Sequence, residues 1–429
     1  MTTAAVLRDH TLDLVLKGYT FASEARSRSD DPRKGSRLLL RALGRGALLV
    51  RGEQGVELFY DDARMQRRGA MPAFVGGGLF GKGSVHGLDD EAHRNRKALF
   101  VRALMDPGAV DALLEGSARE WTETIQERWL SGGSRSVYDV SVEVYGRSLL
   151  RWAGVEADRE TLTRLARDEA AIVDGFAVLG PAWLRTQVAR RRCDAWFADL
   201  VRRARAGEIT PAPGTAFDLV LQHRELDGQP LEDHLAGVEL QNAVRPGIAV
   251  CRFAAFAALA MHEHPEWRER VYAETRERGT TTGGPLAVAF AEEVRRYYPF
   301  VPLLPAVARH DLEFEGEHLS AGDRVLLDIY GTNRDERHWQ APDTFDPERF
   351  LGTGEVFAEY FVPQGGGRPE TGHRCPGEMI TVGLLAQTVA ELSRLDAEVA
   401  RDGLDWSIHR LPTAPRNGVL LSQVRRREG

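Results

Sequence analysis

The chain has 429 residues, 43% of them apolar and 28% charged, so it is long enough to bury a substantial core. Its 56 basic and 63 acidic residues give a net charge of −7, which argues against a nucleic-acid-binding surface. Its three cysteines, Cys193, Cys251 and Cys375, are far apart, which argues against a disulfide framework or a structural zinc site and favours a reducing compartment.

The N-terminal residues lack a basic segment followed by a long apolar stretch. No later segment reaches the roughly 18 uninterrupted apolar residues that a membrane span needs. We therefore expect a cytoplasmic protein without a membrane span.

The pattern of apolar residues along the chain predicts mostly helices. Residues 38–61 indicate short strands around glycine-containing turns, 90–275 have helical spacing, and 305–330 return to short strands. Short loop signals, too brief to divide domains, occur at 76–78 and 280–284. We expect a mainly α fold with small β-sheet regions, forming a single domain over 1–429.

Residues 234–262 are apolar on nearly every face, which predicts a central buried helix about 40 Å long. Arg245-Pro246 lies near its middle. A proline inside a helix removes a backbone hydrogen bond at a cost of about 3 kcal/mol, so we expect a kink or an opening there. A buried guanidinium requires an anionic partner. That partner is either a carboxylate elsewhere in the protein or a substrate carboxylate, which Arg binds through two parallel hydrogen bonds.

Two later segments carry charged residues that are able to pair. In AEEVRRYYPF, Glu293 and Arg296 are three residues apart and share a helix face. In APDTFDPERF, Arg349 is available to complete a network with them. The alternative is a solvated surface ion pair.

Cys375 lies between a glycine-rich stretch, PQGGG, and a strongly apolar helical pattern within 361–392. Glycines let backbone N–H groups approach a thiolate, and such hydrogen bonds tune an iron–thiolate bond. A helix that begins just after the cysteine places its positive end near the anionic sulfur. The alternative is a buried structural cysteine before a helix.

In this order and spacing, the three motif segments resemble the cytochrome P450 superfamily, from about residue 12 to the end of the chain. The resemblance implies haem b (iron protoporphyrin IX) buried between the central distal helix and the proximal cysteine loop, with Cys375 as the axial ligand of the haem iron. It also implies that Glu293, Arg296 and Arg349 form a buried structural triad.

The proximal loop departs from the usual superfamily pattern. Arg368 stands where a phenylalanine is usual, His373 stands where an arginine is usual, and the loop looks lengthened. The contacts to the haem propionates are therefore expected to differ from the ordinary ones.

The stretch AVELQNAVRPGIAV resembles the fatty-acid peroxygenase and decarboxylase branch of these proteins, in which an Arg-Pro pair replaces the acid–alcohol pair of oxygen-activating members. The branch resemblance implies three sets of site residues. The catalytic centre is expected to contain Arg245, Pro246 and His86. The substrate is expected to contact Arg245, Leu79, Phe80, Val173, Phe176 and Phe300. The candidates for haem propionate contacts are Arg67, His93 and Lys97. By propensity alone, the apolar members of these sets would be plain core residues, and the charged ones solvated surface groups.

The resemblance further implies that hydrogen peroxide is the oxidant and that no redox partner is required. The fatty-acid carboxylate, held by Arg245, would supply the general base and acid that the protein lacks. The expected reaction is hydroxylation at the α or β carbon, with oxidative decarboxylation to a terminal alkene as a further outcome. In the family, a histidine at the position of His86 is associated with a larger share of decarboxylation; the alternative is a packing residue without effect on the product.

Two other interpretations stay open at this stage. One is a dioxygen- and redox-partner-dependent monooxygenase that acts on another carboxylate-bearing substrate. The other is a non-catalytic haem protein, such as a sensor or carrier.

Overall fold

The structure is a computed structural model, and it describes residues 9–42, 44–175, 181–352 and 359–427. Helices dominate, which confirms the predicted mainly α fold with small β-sheet regions. The helices are α1 (Thr11–Leu16), α2 (Phe21–Ser27), α3 (Gly52–Tyr60), α4 (Ala73–Leu79), α5 (Asp90–Leu104), α6 (Pro107–Ile125), α7 (Val137–Trp152), α8 (Arg159–Asp174), α9 (Pro181–Arg205), α10 (Ala216–Gln222), α11 (Asp233–Ala249), α12 (Cys251–Glu263), α13 (Pro265–Arg278), α14 (Pro285–Tyr297), α15 (Ile329–Thr332) and α16 (Glu378–Ser393).

The strands of the described residues form three small sheets. They are β1 (Arg37–Ala42), β2 (Arg45–Val50), β3 (Met65–Gln66), β4 (Arg135–Ser136), β5 (Leu303–Ala308), β6 (Leu312–Phe314), β7 (Glu317–Leu319), β8 (Arg324–Asp328), β9 (Leu395–Val399) and β10 (Leu420–Arg426). The largest sheet has the order β1-β2-β8-β5-β3, with β2 and β8 parallel and the other pairs antiparallel. The other sheets are β4-β10-β9 and β6-β7. Strands β5 to β8 correspond to the strands predicted over 305–330.

The strand prediction for 38–61 is right for β1 and β2 and wrong for the last third, which forms α3. Val56 and Phe59, three residues apart, are both buried on one face of that helix. Packing of this face against β3 and β8 outweighs the β preference of the aromatic residue.

The loop prediction for the glycine triplet 76–78 is also wrong, because these residues lie within α4. Glycine disfavours a helix by about 1 kcal/mol per residue relative to alanine. The C-terminal end of α4 is compensated by two cations, since the Leu79 carbonyl accepts hydrogen bonds from Arg245 Nη1 at 2.7 Å and from Arg190 Nη1 at 3.3 Å. Positive groups at this end of a helix stabilise it.

The predicted central helix is present as α11 and α12, which are separated only at Val250. Pro246 lies inside α11, and the interruption comes one turn later, where Val250 N–H donates to the Gly247 carbonyl at 3.2 Å. Helices α7, α8 and α9 pack against α11 and hold it in helical form through the proline. The expected opening is therefore displaced by one turn.

The segment Asp233–Glu263 is long and apolar enough to cross a membrane, judged by length and composition. Within its most apolar window, however, 94% of the residues are buried inside the protein. Its second half, α12, packs against α7, α14 and α16. It is therefore a core helix, and it carries the Arg-Pro pair.

Candidate active site

Arg245 is 3% exposed and is held by acceptors of the protein itself. Its Nε donates to Glu169 Oε2 at 2.5 Å, and its Nη2 donates to Gln241 Oε1 at 2.8 Å. Its Nη1 donates to the Leu79 carbonyl at 2.7 Å and to Asn242 Oδ1 at 3.0 Å. Of the two anionic partners left open by the sequence, an internal carboxylate is therefore present.

Glu169 was not among the residues predicted for the site. It lies in the apolar stripe of α8, four residues after Leu165 and seven after Leu162, and all three side chains are fully buried. A carboxylate in such a stripe needs a buried cation, and this was the available sequence signal. Burial raises the pKa of Glu169, while Arg245 acts against that shift.

A second buried carboxylate, Glu239 on α11, extends the network towards the segment around His86. Glu239 Oε1 accepts from Val85 N–H at 2.8 Å and from Arg96 Nη1 at 2.6 Å. Asn242 Nδ2 donates to Glu239 Oε2 and to the Phe80 carbonyl, both at 3.0 Å. This network fixes the backbone on both sides of the 80–86 segment relative to Arg245.

The His86 ring is stacked on Phe80, with centroids 3.9 Å apart and an interplanar angle of 18°. Burial, aided by Lys97 and Arg245, lowers the pKa of His86 to about 3. The His86 ring nevertheless has accessible surface, and so does Pro246, which lies between the buried residues Arg245 and Ile248 of α11. Residues that are deep in the protein yet accessible line an internal space, so His86 and Pro246 face a cavity next to Arg245.

Cys375 lies three residues before Glu378, the first residue of α16, and has the glycine-rich loop on its other side. Its Sγ is 3.8 Å from Gln364 Nε2, and its N–H donates to the Gln364 carbonyl at 3.2 Å. Gly365 has a φ of +96°, and a Cβ there would lie 2.5 Å from Tyr60 Oη, so a glycine is required at that point of the loop. Burial raises the pKa of the Cys375 thiol, and the Gly377 N–H and Lys97 act against that shift.

The other two cysteines are in different surroundings. Cys193 and Cys251 are both fully buried, whereas Cys375 is partly accessible. Burial raises the pKa of Cys251 to about 12 and raises the pKa of Cys193 as well. Cys375 alone among them combines a glycine loop, a helix N-terminus and an accessible sulfur-bearing side chain, as a metal ligand requires.

Cationic and aromatic side chains lie beside the cysteine loop. The His93 and His373 rings are stacked with centroids 3.8 Å apart, and Lys97 Nζ donates to the Arg374 carbonyl at 2.5 Å. Burial lowers the pKa of Lys97 to about 8 and that of His93 to about 4. Arg67 Nη2 donates to the Phe59 carbonyl at 2.9 Å, but its buried Nη1 has no acceptor within the part of the chain that the structure describes.

These residues fit haem. The unmatched Nη1 of Arg67 is a donor suited to a propionate, and Lys97 and the two stacked histidines supply further positive or hydrogen-bonding groups. The loop offers a thiolate at the N-terminus of α16, with a backbone N–H directed to it. Two residues of the loop depart from the usual superfamily pattern. Arg368 is exposed, whereas His373 is stacked on His93 among the candidate propionate contacts.

Glu293, Arg296 and Arg349 are brought together by the fold. Arg296 Nε and Nη2 donate to the two oxygens of Glu293 at 2.6 and 2.7 Å, and both residues are fully buried. Arg349 Nε lies 3.7 Å from Glu293 Oε1. The pair is therefore not a solvated surface ion pair.

The remaining substrate-channel candidates lie on separate elements. Phe300, after α14, is stacked on Phe253 of α12 with centroids 4.6 Å apart. Val173 is half-buried near the end of α8, and Leu79 and Phe80 are half-buried at the end of α4. Phe176 lies outside the described residues.

A partly accessible cysteine between a glycine loop and a helix N-terminus, together with an Arg-Pro pair inside the central helix, is the residue set of a haem-thiolate protein. The family model "Cytochrome P450" matches residues 254–386. Cytochrome P450 71D18 of Mentha gracilis is 26% identical over 329 residues, which cover 66% of this chain and 63% of that protein.

Solved structures match over nearly the full length. A variant of cytochrome P450SP alpha (CYP152B1) is 34% identical, with a TM-score of 0.89 and coverage of 98% of this chain and 99% of that one. Ligand-free cytochrome P450 OleT is 33% identical, with a TM-score of 0.90 and 98% coverage of both chains. The chain belongs to the cytochrome P450 family, in the branch of P450SP alpha and OleT.

Proposed function

We propose that the protein is a haem-thiolate peroxygenase that uses hydrogen peroxide to hydroxylate fatty acids at the α or β carbon. The observation that carries the proposal is the buried guanidinium of Arg245, which lies beside a cavity lined by His86 and Pro246. From Leu240 to Ala249, α11 contains neither a carboxylate nor a hydroxyl side chain that could relay protons. A substrate carboxylate at Arg245 would supply the missing group.

Haem would be held by Cys375, with Arg67, His93, Lys97 and His373 available for its propionates. When bound through a thiolate, haem supplies the oxidising chemistry, since electron donation by sulfur favours O–O cleavage. The hydrogen bonds to Cys375 from the backbone and from Gln364 would set how strongly the sulfur donates.

Arg245 would bind the substrate carboxylate through Nη1 and Nη2. The Leu79 carbonyl is the neutral acceptor that a carboxylate could replace, because a charged acceptor forms the stronger hydrogen bond with a guanidinium. Glu169 would continue to accept the hydrogen bond from Nε, so the guanidinium plane would stay fixed. The substrate carboxylate would then take up and return a proton while remaining bound to Arg245.

The ligands of related structures support a carboxylic-acid substrate. A variant of OleT has been solved in complex with arachidonic acid, and P450SP alpha in complex with (R)-ibuprofen. Both ligands are carboxylic acids with a large apolar body. We extend this substrate class to the present chain because Leu79 and Phe80 supply apolar surface near Arg245.

Decarboxylation to a terminal alkene is a second candidate outcome, favoured by the position of His86. Its ring is neutral at neutral pH, because its pKa is lowered by burial, and it is stacked on Phe80 at the cavity. It would therefore act as a hydrogen-bonding group beside the reacting carbons rather than as a permanent cation.

Comparing oxidants tests the proposal. The haem-loaded protein should convert saturated fatty acids with hydrogen peroxide alone, and adding dioxygen with a reductase system should bring no comparable turnover. Turnover with dioxygen and reductase but not with peroxide would instead identify a conventional monooxygenase. We further propose that the whole of 1–429 acts as one cytoplasmic domain without a redox partner.

A further inference from the structure

Glu169 binds the Nε edge of the Arg245 guanidinium, whereas the proposed substrate carboxylate would bind the edge formed by Nη1 and Nη2. Its Oε2 accepts from Nε, while its Oε1 is buried and has no hydrogen-bond partner among the described residues. Leu79 and Gln241, which accept from the other edge, are neutral acceptors. The Glu169 carboxylate therefore acts on the guanidinium mainly through its negative charge and through its hydrogen bond with Nε.

The charges around Glu169 balance to zero before any substrate binds. Arg245 faces it from α11, and Arg190 and Asp194 act on it from α9. Arg190 Nε donates to Asp194 Oδ2 at 3.0 Å, and Arg190 Nη1 shares the Leu79 carbonyl with Arg245. Two guanidinium groups thus face two carboxylates, and of these four groups only Asp194 is partly exposed. Cys193 of α9 faces the cluster as a neutral thiol, its pKa raised by burial and by Glu169.

Helices α4 and α7, which also pack on α8, add no charge to this cluster. Helix α4 contains no titratable residue. On α7, Glu143 and Arg147 meet α8 at Arg167 and Thr163, on the side of that helix away from Glu169. Two further carboxylates near the cluster have cations of their own, since Asp168 pairs with Arg192 and Glu239 pairs with Arg96. Arg245, Arg190 and Asp194 are therefore the charged groups that act most on Glu169.

A lone buried arginine would bind a substrate carboxylate tightly but would also make it a poor base. An opposite charge within about 4–6 Å lowers a carboxyl pKa by about 1–3 units, which disfavours proton uptake. A second carboxylate on the same guanidinium offsets this effect, and burial raises the pKa of a carboxyl group further, as it does for Glu169. Two carboxylates that share a cation titrate as a coupled pair.

We propose that Glu169 is a positioning residue that makes the substrate carboxylate held by Arg245 more basic, so that this carboxylate accepts a proton near neutral pH. The negative charge of Glu169 weakens substrate binding at the same time. The inference rests on the proposed function and names a protein group that regulates the same site. Glu169 itself does not need to touch the substrate or the haem.

Glu169→Gln tests the inference, because glutamine keeps an acceptor for Arg245 Nε and removes the charge. Glu160→Gln is the matched control, since Glu160 is an exposed carboxylate on the same helix. Binding of dodecanoic acid and of neutral dodecanol to the haem-loaded protein is measured by calorimetry in buffers of different ionisation enthalpy. The buffer dependence gives the number of protons taken up on binding.

Glu169→Gln should bind dodecanoic acid about tenfold or more tightly, because one unit of pKa corresponds to a factor of ten in affinity. Its affinity for dodecanol should not change. The wild type should take up protons on binding dodecanoic acid at about pH 6, well above the ordinary carboxyl pKa, and the variant should not. In peroxide-driven turnover, the variant should show a lower KM, a lower kcat and an acidic limb of the kcat profile displaced to lower pH.

Unchanged or weaker dodecanoate binding by Glu169→Gln, with no change in proton uptake, would overturn the inference alone. If that variant does not fold, the proton uptake of the wild type decides, since its absence contradicts a basic bound carboxylate. A wild type that binds no dodecanoic acid, or binds it as well as Arg245→Leu does, would instead overturn the proposed function.

Discussion

Replacing Arg245 by leucine should reduce the stability of the protein, independently of any substrate. The guanidinium and Glu169 are 3% and 0% exposed, so the variant leaves a carboxylate buried without its cation. Breaking a buried ion pair by removing one partner costs about 3–5 kcal/mol in the free energy of unfolding. Replacing both partners by leucine should recover most of that loss, because an apolar pair of similar volume needs no charge partner.

The loss of unfolding free energy in Arg245→Leu, relative to the wild type, should grow as the pH rises. Burial already raises the pKa of Glu169, and removal of Arg245 removes the group that acts most against that shift. A raised folded-state pKa means that stability is retained below the unfolded carboxyl pKa of about 4.3 and lost as the pH rises through the folded value. The difference from wild type should therefore be larger at about pH 8 than at about pH 5.

Urea unfolding followed by circular dichroism measures these effects, with the same haem loading in each protein. Arg164→Leu is the control, because Arg164 is an exposed arginine on the helix that carries Glu169, and its effect should stay within about 0.5 kcal/mol. An Arg245→Leu variant as stable as wild type near neutral pH would refute the reasoning. So would a double variant no more stable than the single one.

The remaining predictions concern the chemistry. Cys375→Ala should lose the thiolate-type Soret band of the reduced CO complex and all oxygen transfer, whereas Cys193→Ala and Cys251→Ala keep both; a retained band in the first variant would rule out Cys375 as the ligand. His86→Gln should shift the product towards hydroxy acids with unchanged haem content, and an unaltered ratio of alkene to hydroxy acid would leave His86 a packing residue. A short carboxylic acid should occupy the Arg245 site of the wild type and permit peroxide-driven oxidation of a small neutral molecule. Equal rates without the acid, or survival of the reaction in Arg245→Leu, would contradict substrate-assisted proton transfer.

The central helix could be predicted because its sequence is apolar on nearly every face, and Arg245, next to Pro246, stood out there as a cation in need of a partner. The partner could not be chosen from the sequence. Glu169 is 76 positions away and becomes adjacent only when α8 packs on α11. Its place in an apolar stripe was a detectable signal that a buried cation existed, but it did not identify which one.

Local sequence propensity gave a wrong prediction where contacts with distant residues determine the structure. The glycine triplet of α4 is helical, and the Leu79 carbonyl at its end is bound by Arg245 and Arg190. For Glu293 and Arg296 the spacing sufficed, because a pair on one helix turn is a local feature. The approach of Arg349 depended on a family pattern, since nothing local relates it to α14.

The burial of the α11–α12 segment has a consequence for how the protein is made. Its apolar surface is covered partly by α7, which is synthesised earlier, and partly by α16, which ends roughly 130 residues after Glu263. At about 5–20 residues per second, a ribosome needs roughly 6 to 26 s to complete that cover. During this interval the nascent chain presents a helix with the length and composition of a membrane span. Its yield in a cell should therefore depend on chaperones that shield this helix until the C-terminal region emerges.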